Sequence, residues 1–184
     1  MGVVIVMNIT SSRKFLKAKS NSFTLVELLV VISIIGLLAG LGLPAINGAM
    51  KAGKKAEVAA MAESIKTAVN AFYAEYSSYP SNSGITDSAF LTNMSTTNTN
   101  GGNYRGIAFL EVPPKFTNSR GIVTPQGLYK GGGQSNFFIL IDTQGLGYVN
   151  PKLVSSVTNT NVASSVAVWV VDPNTNTKAV GTFK

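Results

Sequence analysis

Residues 23–43 form an unbroken apolar run, FTLVELLVVISIIGLLAGLGL, interrupted by a single charge, Glu27. As a helix rising 1.5 Å per residue, this run would be about 31 Å long, enough for a hydrocarbon core of roughly 30 Å. The apolar part of a secretory signal peptide is shorter, about 7–15 residues, and here the helical pattern continues past the run. A small soluble domain could hardly cover such a segment on every side. The pattern therefore predicts a membrane span.

Beyond Pro44 the pattern turns amphipathic. Val58, Met61, Ile65, Val69, Phe72 and Tyr76 recur at steps of three or four, which marks one face of a helix and reads as core. Lys51, Lys54, Lys55, Glu57, Glu63 and Lys66 fall mostly on the other faces. Tyr79-Pro80 is the stop signal, since the residue before a proline avoids helical angles. One nearly continuous helix is expected over 24–78. Residues 81–103 are rich in Ser, Thr, Asn and Gly, a composition that reads as an exposed loop. Short runs rich in Val, Ile, Phe and Trp follow at 105–112, 121–124, 136–142, 162–171 and 178–183, separated by Gly, Pro and Asn, and read as strands. The fold class is α+β: a long N-terminal helix, transmembrane in its first half, packed on a small, mainly antiparallel sheet. Trp169 is assigned to the core between them. The chain divides into 1–22, a basic leader; 23–44, the membrane half of the helix; 45–79, its amphipathic half; 80–134, loop-rich with a short strand; and 135–184, the β-rich end of the head.

Composition narrows the function. With no Cys and no His in the chain, disulfides, structural zinc and imidazole-based nucleophilic catalysis are all excluded. The acids, Glu27, Glu57, Glu63, Glu75, Glu111, Asp87, Asp142 and Asp172, form no pair by motif. Neither an enzyme nor a cofactor is expected. The net charge of +7 loses its apparent meaning once it is located: Arg13, Lys14, Lys17 and Lys19 precede Phe23 with no acid among them, and the remainder carries 11 basic and 8 acidic residues, or +3. The basic balance is thus largely a targeting feature. Positive residues before the span fit an N-terminus in the cytoplasm, with the head on the far side of the membrane. Lys51, Lys54 and Lys55 on the far side oppose that bias.

Glu27 is the informative residue. A carboxylate within a spanning helix costs roughly 2.5–3.5 kcal/mol on insertion scales when central, and less near the interface. A plain anchor has no use for that cost, whereas a carboxylate that meets a positive partner does. Residues 22–32, Ser-Phe-Thr-Leu-Val-Glu-Leu-Leu-Val-Val-Ile, resemble the leader-peptidase recognition segment of type IV pilins and type II secretion pseudopilins. Phe23 and Glu27 hold the matching places, and Pro44 falls where these proteins commonly carry a helix-bending proline. Ser22 stands where the family normally has Gly. Met7 offers an alternative start, with a leader of 16 residues, 7–22.

The resemblance implies cleavage between Ser22 and Phe23 by a prepilin peptidase and N-methylation of Phe23. It also implies pairing of Glu27 with the terminal amine of a neighbouring subunit, since charges attract strongly at low dielectric. Gly36 and Gly40, with Gly42, suit close helix packing, and Pro44 a bend. The implied partners are other pilin-like subunits in a homo- or hetero-polymer, the prepilin peptidase and inner-membrane assembly machinery. The implied locations are the inner membrane, single-pass, and then a periplasmic or surface filament. Residues 71–80, with Tyr73, Tyr76 and Tyr79 before Pro80, resemble the helix end of major pseudopilins. Residues 106–114 and 168–173 are loosely similar to pseudopilin-like heads. A type II secretion pseudopilus is slightly favoured over a surface pilus.

The remaining motifs are bland. The loop at Asp142 resembles one that binds calcium in some relatives, but a hard cation needs several carboxylates and only Asp142 is charged, so a Gly-rich hairpin is expected and no metal. Gly131, Gly132 and Gly133 read as a flexible turn, not a phosphate loop. The alternative function is a minor pilin that binds DNA or a surface ligand. Lys115, Arg120 and Lys130 are scattered, and +3 is a weak electrostatic footprint, so no nucleic-acid partner is expected.

Overall fold

The computed structural model describes residues 23–125, 129 and 135–183. The leader at 1–22, including Ser22 and the alternative start Met7, and the glycine turn at 131–133 lie outside the described residues. The chain divides into two compact units, Met1–Ile46 and Asn47–Lys184. One helix, α1 (Leu25–Tyr76), begins in the first unit and ends in the second, and Pro44 lies inside it.

In the second unit α1 buries the stripe that its spacing announces: Val58, Met61, Ala62, Ile65, Ala68, Val69 and Phe72. Tyr76 packs partly buried at the end of the same face. The helix stops at Tyr76, two residues short of the expected end. Ser77 takes a left-handed conformation (φ 51°), and its N–H bonds back to the Tyr73 carbonyl at 2.8 Å. The terminus is thus set by an αL residue ahead of the proline.

The main sheet has three antiparallel strands, β3 (Phe138–Ile141), β4 (Val166–Val171) and β5 (Ala179–Gly181), in the order β3-β4-β5. Phe138 pairs with Trp169 and Ile141 with Val166; Val170 pairs with Val180. A separate antiparallel ribbon joins β1 (Thr117–Asn118) to β2 (Gly121–Ile122). Side chains alternate across the sheet. Val166, Val168, Val170, Ile139 and Val180 share the core with the buried face of α1. Ala167, Trp169, Val171 and Ala179 point to the other face and form a second core with Val149 and Val157. Trp169 is therefore fully buried but not in the helix-facing core: its odd place in β4 turns it away. The segment 149–162 makes the cover that lets β4 be apolar on both sides, and Ser155 Oγ accepts the indole N–H at 3.2 Å.

Two expectations for the middle of the chain are corrected. The segment read as an exposed loop holds a helix, α2 (Ser88–Ser95), capped by Asp87, whose side chain accepts the Phe90 N–H at 2.8 Å. Its Phe90 and Met94 are fully buried, and Asn93 and Asn103 nearly so. The run at 105–112 forms no strand. It packs Leu110 into the core as an irregular segment, with the Phe109 N–H bonded to the Met94 carbonyl at 2.8 Å. Residues 84–86 lie along the free edge of β3: Ile139 donates to Gly84 and Thr86 to Phe137. That protects an edge that would otherwise be open to pairing.

Candidate functional site

The candidate site is the N-terminal stretch of α1. Every large apolar residue from Leu25 to Ile46 is exposed, from Leu25 (79 %) to Val31 (45 %). Its best 18-residue window has a mean hydropathy of 2.5, and none of the window is buried. By length and composition this helix is able to cross a membrane. Among the described residues, the one side-chain hydrogen bond beyond the first turn of this stretch is that of Ser33, whose hydroxyl donates to the Leu29 carbonyl at 2.7 Å. Glu27 is then the one ionisable group between Phe23 and Met50.

The first turn explains how Glu27 is held. Thr24 sits at the N-cap, and its Oγ1 accepts the Glu27 N–H at 3.2 Å. Glu27 Oε2 reaches back and accepts from the Thr24 N–H at 2.8 Å and the Thr24 hydroxyl at 2.7 Å. This reciprocal arrangement is a capping box, which satisfies two of the helix's orphan donors. The carboxylate also lies at the positive end of the helix dipole. Among the described residues Glu27 Oε1 has no partner. The local role of Glu27 was missed in reading the chain, although the spacing Thr24-x-x-Glu27 ahead of an apolar run is itself the signature of such a box.

Phe23 precedes the cap and is 75 % exposed. Gly36, Gly40 and Gly42 have open space where a Cβ would stand, so nothing within the subunit requires glycine there. Pro44 has no N–H for the Gly40 carbonyl, four residues earlier, and α1 nonetheless continues through it. These residues share one helix segment with Glu27, but among the described residues no side-chain hydrogen bond or ion pair joins them to it.

At the other end of α1 the tyrosines do lock the helix to its following loop. Tyr73 and Tyr79 stack at 4.4 Å between ring centroids. The Tyr76 hydroxyl donates to Asn103 Oδ1 at 2.8 Å, and its ring lies 4.7 Å from that of Tyr104. Arg105 pairs with Glu75 beside them.

The Asp142 loop is latched by its own backbone. The carboxylate accepts the N–H groups of Leu146 (3.0 Å), Gln144 (3.2 Å) and Gly147 (2.7 Å). Gly145 and Gly147, at φ 71° and 79°, supply the left-handed turns that aim those amides inward. The Leu146 amide foremost, with the other amides, holds the Asp142 carboxyl below its ordinary range against a smaller desolvation effect. Among the described residues no group of three His, Cys, Asp or Glu side chains gathers that could hold a metal ion.

Comparison with known proteins places the same segment. The family profile described as "Prokaryotic N-terminal methylation motif" matches residues 17–43. The chain is 39 % identical over 62 residues to a fimbrial protein of Neisseria meningitidis serogroup A, covering 34 % of this chain and 36 % of that one. It is 38 % identical over 62 residues to the type IV major pilin protein PilE1 of Neisseria gonorrhoeae, covering 34 % and 38 %. Against the fimbrial protein EcpC of Eikenella corrodens it is 33 % identical over 78 residues, covering 42 % and 51 %. The chain thus spans between about a third and half of the length of these relatives. No solved structure matches it.

Proposed function

We propose that this chain, whose N-terminal segment is similar to that of type IV pilins, is a structural subunit, anchored in the inner membrane through the first part of α1, cut between Ser22 and Phe23, and polymerised into a filament. The observation that carries this is the combination found in α1: an apolar stretch with none of its best window buried, and one carboxylate fixed in its first turn. Such a surface suits lipid first and other copies of the same helix afterwards. The head keeps its own core, so the two tasks are separable.

In this reading cleavage turns the Phe23 nitrogen into a cationic amine, and methylation keeps that charge. Glu27 Oε2 is engaged by Thr24 while Oε1 is open, so the carboxylate is held in one orientation and still has an oxygen for the amine of a neighbour. An unpaired charge of either sign is costly in an apolar bundle. The pair therefore selects one register between neighbouring helices. Gly36, Gly40 and Gly42 admit close approach of a neighbour, and Pro44 relaxes the helix where the apolar stretch ends. Contacts of this head-to-tail kind do not close and so propagate into a filament. The partners are other pilin-like subunits, a prepilin peptidase and inner-membrane assembly proteins.

The test separates the two roles of Glu27. Gln at this position keeps the capping box and removes the charge, whereas Leu removes both. Filament yield after shearing is expected to fall at least tenfold in both Glu27→Gln and Glu27→Leu, with membrane levels of the subunit unchanged. Normal filaments from Glu27→Gln would leave only the helix-capping role.

The relatives carry the names of pilus subunits, which favours a type IV pilus-like filament. The second reading, a type II secretion pseudopilus, rests on the aromatic lock at Tyr73, Tyr76 and Tyr79. Deletion of the gene distinguishes them: loss of surface filaments with normal protein secretion marks a pilus, and the converse a pseudopilus. A DNA-binding role would require salt-sensitive affinity that the modest charge of the head does not supply.

A further inference from the structure

Three lysines on the translocated side of the span have no part in the reading above. Lys51, Lys54 and Lys55 occupy positions i, i+3 and i+4 of α1, so they share one helix face, and all three are exposed. Like charges at this spacing weaken a helix. They also stand where the charge bias of membrane insertion disfavours them. Both costs fall if an anion sits among them.

The surroundings in the second unit fit such an anion. A cavity of about 350 Å³ is lined by Lys51, Lys54, Lys55, Tyr129, Asp172 and Asn174. A second, of about 530 Å³, is lined by Lys55, Thr158, Asn159, Thr177 and Lys178. Lys55 borders both, so the two clefts form one basic surface with four ammonium groups, hydroxyls and amides. Its one acid is Asp172, whose carboxylate lies 4.0 Å from Lys55 Nζ. Among the described residues the side chains of Lys51, Lys54 and Lys178 have no ion-pair partner.

We propose that this surface binds the phosphate headgroups of anionic phospholipids while the subunit resides in the membrane. The proposal rests on the membrane-anchored reading. Chain reach carries the choice of a lipid over other anions. Lys51 follows the exposed Ile46 by only five positions and the exposed Met50 directly. Along the continuous helix α1, at 1.5 Å per residue, Lys51 lies about 8 Å and Lys55 about 14 Å beyond Ile46. The headgroup layer adds several ångströms beyond the hydrocarbon core, and its potential extends about 8 Å further at physiological salt. Lys51, Lys54 and Lys55 thus stay within range of the bilayer surface. Hydroxyls and amides beside them supply donors for phosphate and glycerol oxygens. The surface would hold the head against the bilayer until extraction exchanges lipid for neighbouring subunits.

The test uses the full chain in nanodiscs of phosphatidylcholine alone or mixed with phosphatidylglycerol, with lysine acylation rates read by peptide mass spectrometry. Lys51, Lys54 and Lys178 are expected to react several-fold more slowly in the anionic discs, with Lys152 unchanged as the reference and the protection lost in high salt. The combined variant Lys51→Gln, Lys54→Gln, Lys55→Gln should enter both discs and show no such lipid-dependent protection at Lys178. Equal rates in the two lipids would overturn the proposal. Equal protection by inorganic phosphate in neutral discs would reassign the surface to a free anion and overturn the lipid assignment. Failure of the unmodified chain to enter either disc would instead refute the membrane-anchored reading, and the headgroup site with it.

Discussion

At the scale of single residues, the carboxylates of Glu27 and Asp142 are both held by backbone amides, and they differ in what surrounds them. Glu27 is capped by Thr24 inside an apolar stretch, where its charge is expensive unless a partner arrives. Asp142 is latched in an exposed loop by the amides of Leu146, Gln144 and Gly147. Because its carboxyl is held below the ordinary range, the latch is fully formed above the unfolded-chain value and is lost as pH falls through the lowered folded value. The amide shifts of Leu146 and Gly147 should therefore titrate together, with a midpoint below that of an ordinary aspartate, and Asp142→Asn should abolish the step. A midpoint at or above the ordinary value would show that the latch does not hold the ionised form. The glutamate was legible in the sequence as a misplaced charge. Its cap was equally legible, but the apolar run around it drew attention to the membrane and away from the first turn.

At the scale of elements, the helix stripe followed from spacing, because burial on one face leaves a period, whereas most strands followed from composition, as apolar runs between Gly, Pro and Asn. Val58 to Phe72 illustrate the first for α1, and Val166 to Val171, buried on both faces, the second for β4. Helix α2 was not legible for the opposite reason. Its polar residues are Ser, Thr and Asn, which mark loops when counted, yet here they are consumed internally. Asn103 Nδ2 donates to the carbonyls of Asn93 and Ile107, both at 2.8 Å, and Asn93 Nδ2 donates to that of Ser81 at 2.9 Å. What the sequence did carry was Asp87 as a cap and Phe90 and Met94 one turn apart. Gly121, at φ 110°, lets β2 lie against the backbone of that cap, where a Cβ would collide with the Asp87 carbonyl group. Asp87→Ala should accordingly lower the stability of the head by about 1 kcal/mol, the usual worth of an N-cap. Thermal unfolding of the full chain in detergent would read this as a drop of a few degrees, and an unchanged midpoint would mean that core packing alone sets α2. Trp169 was correctly read as core, yet its face depended on a second layer at 149–162 that no local pattern announced.

At the scale of the molecule, the chain divides its labour. The part after Asn47 builds two cores around one sheet. The part before it leaves its apolar surface uncovered, and stability therefore does not explain why that surface is apolar. A bilayer and a bundle of like helices are the two environments that cover such a surface, and the resemblance to pilus subunits supports occupying them in turn. On the proposed function, exchange between the two accounts for a segment with one charge, glycines with open space around them, and a proline where the apolar stretch ends.

The central claim is that the chain is processed ahead of Phe23 to create the partner of Glu27. Intact-mass and N-terminal peptide analysis of the protein from native membranes tests this most directly. The account predicts a chain beginning at Phe23 with a methylated amine. A chain beginning at Met1 or Met7, in cells with an active prepilin peptidase, would contradict it, leaving Glu27 as a helix cap in a plain membrane anchor.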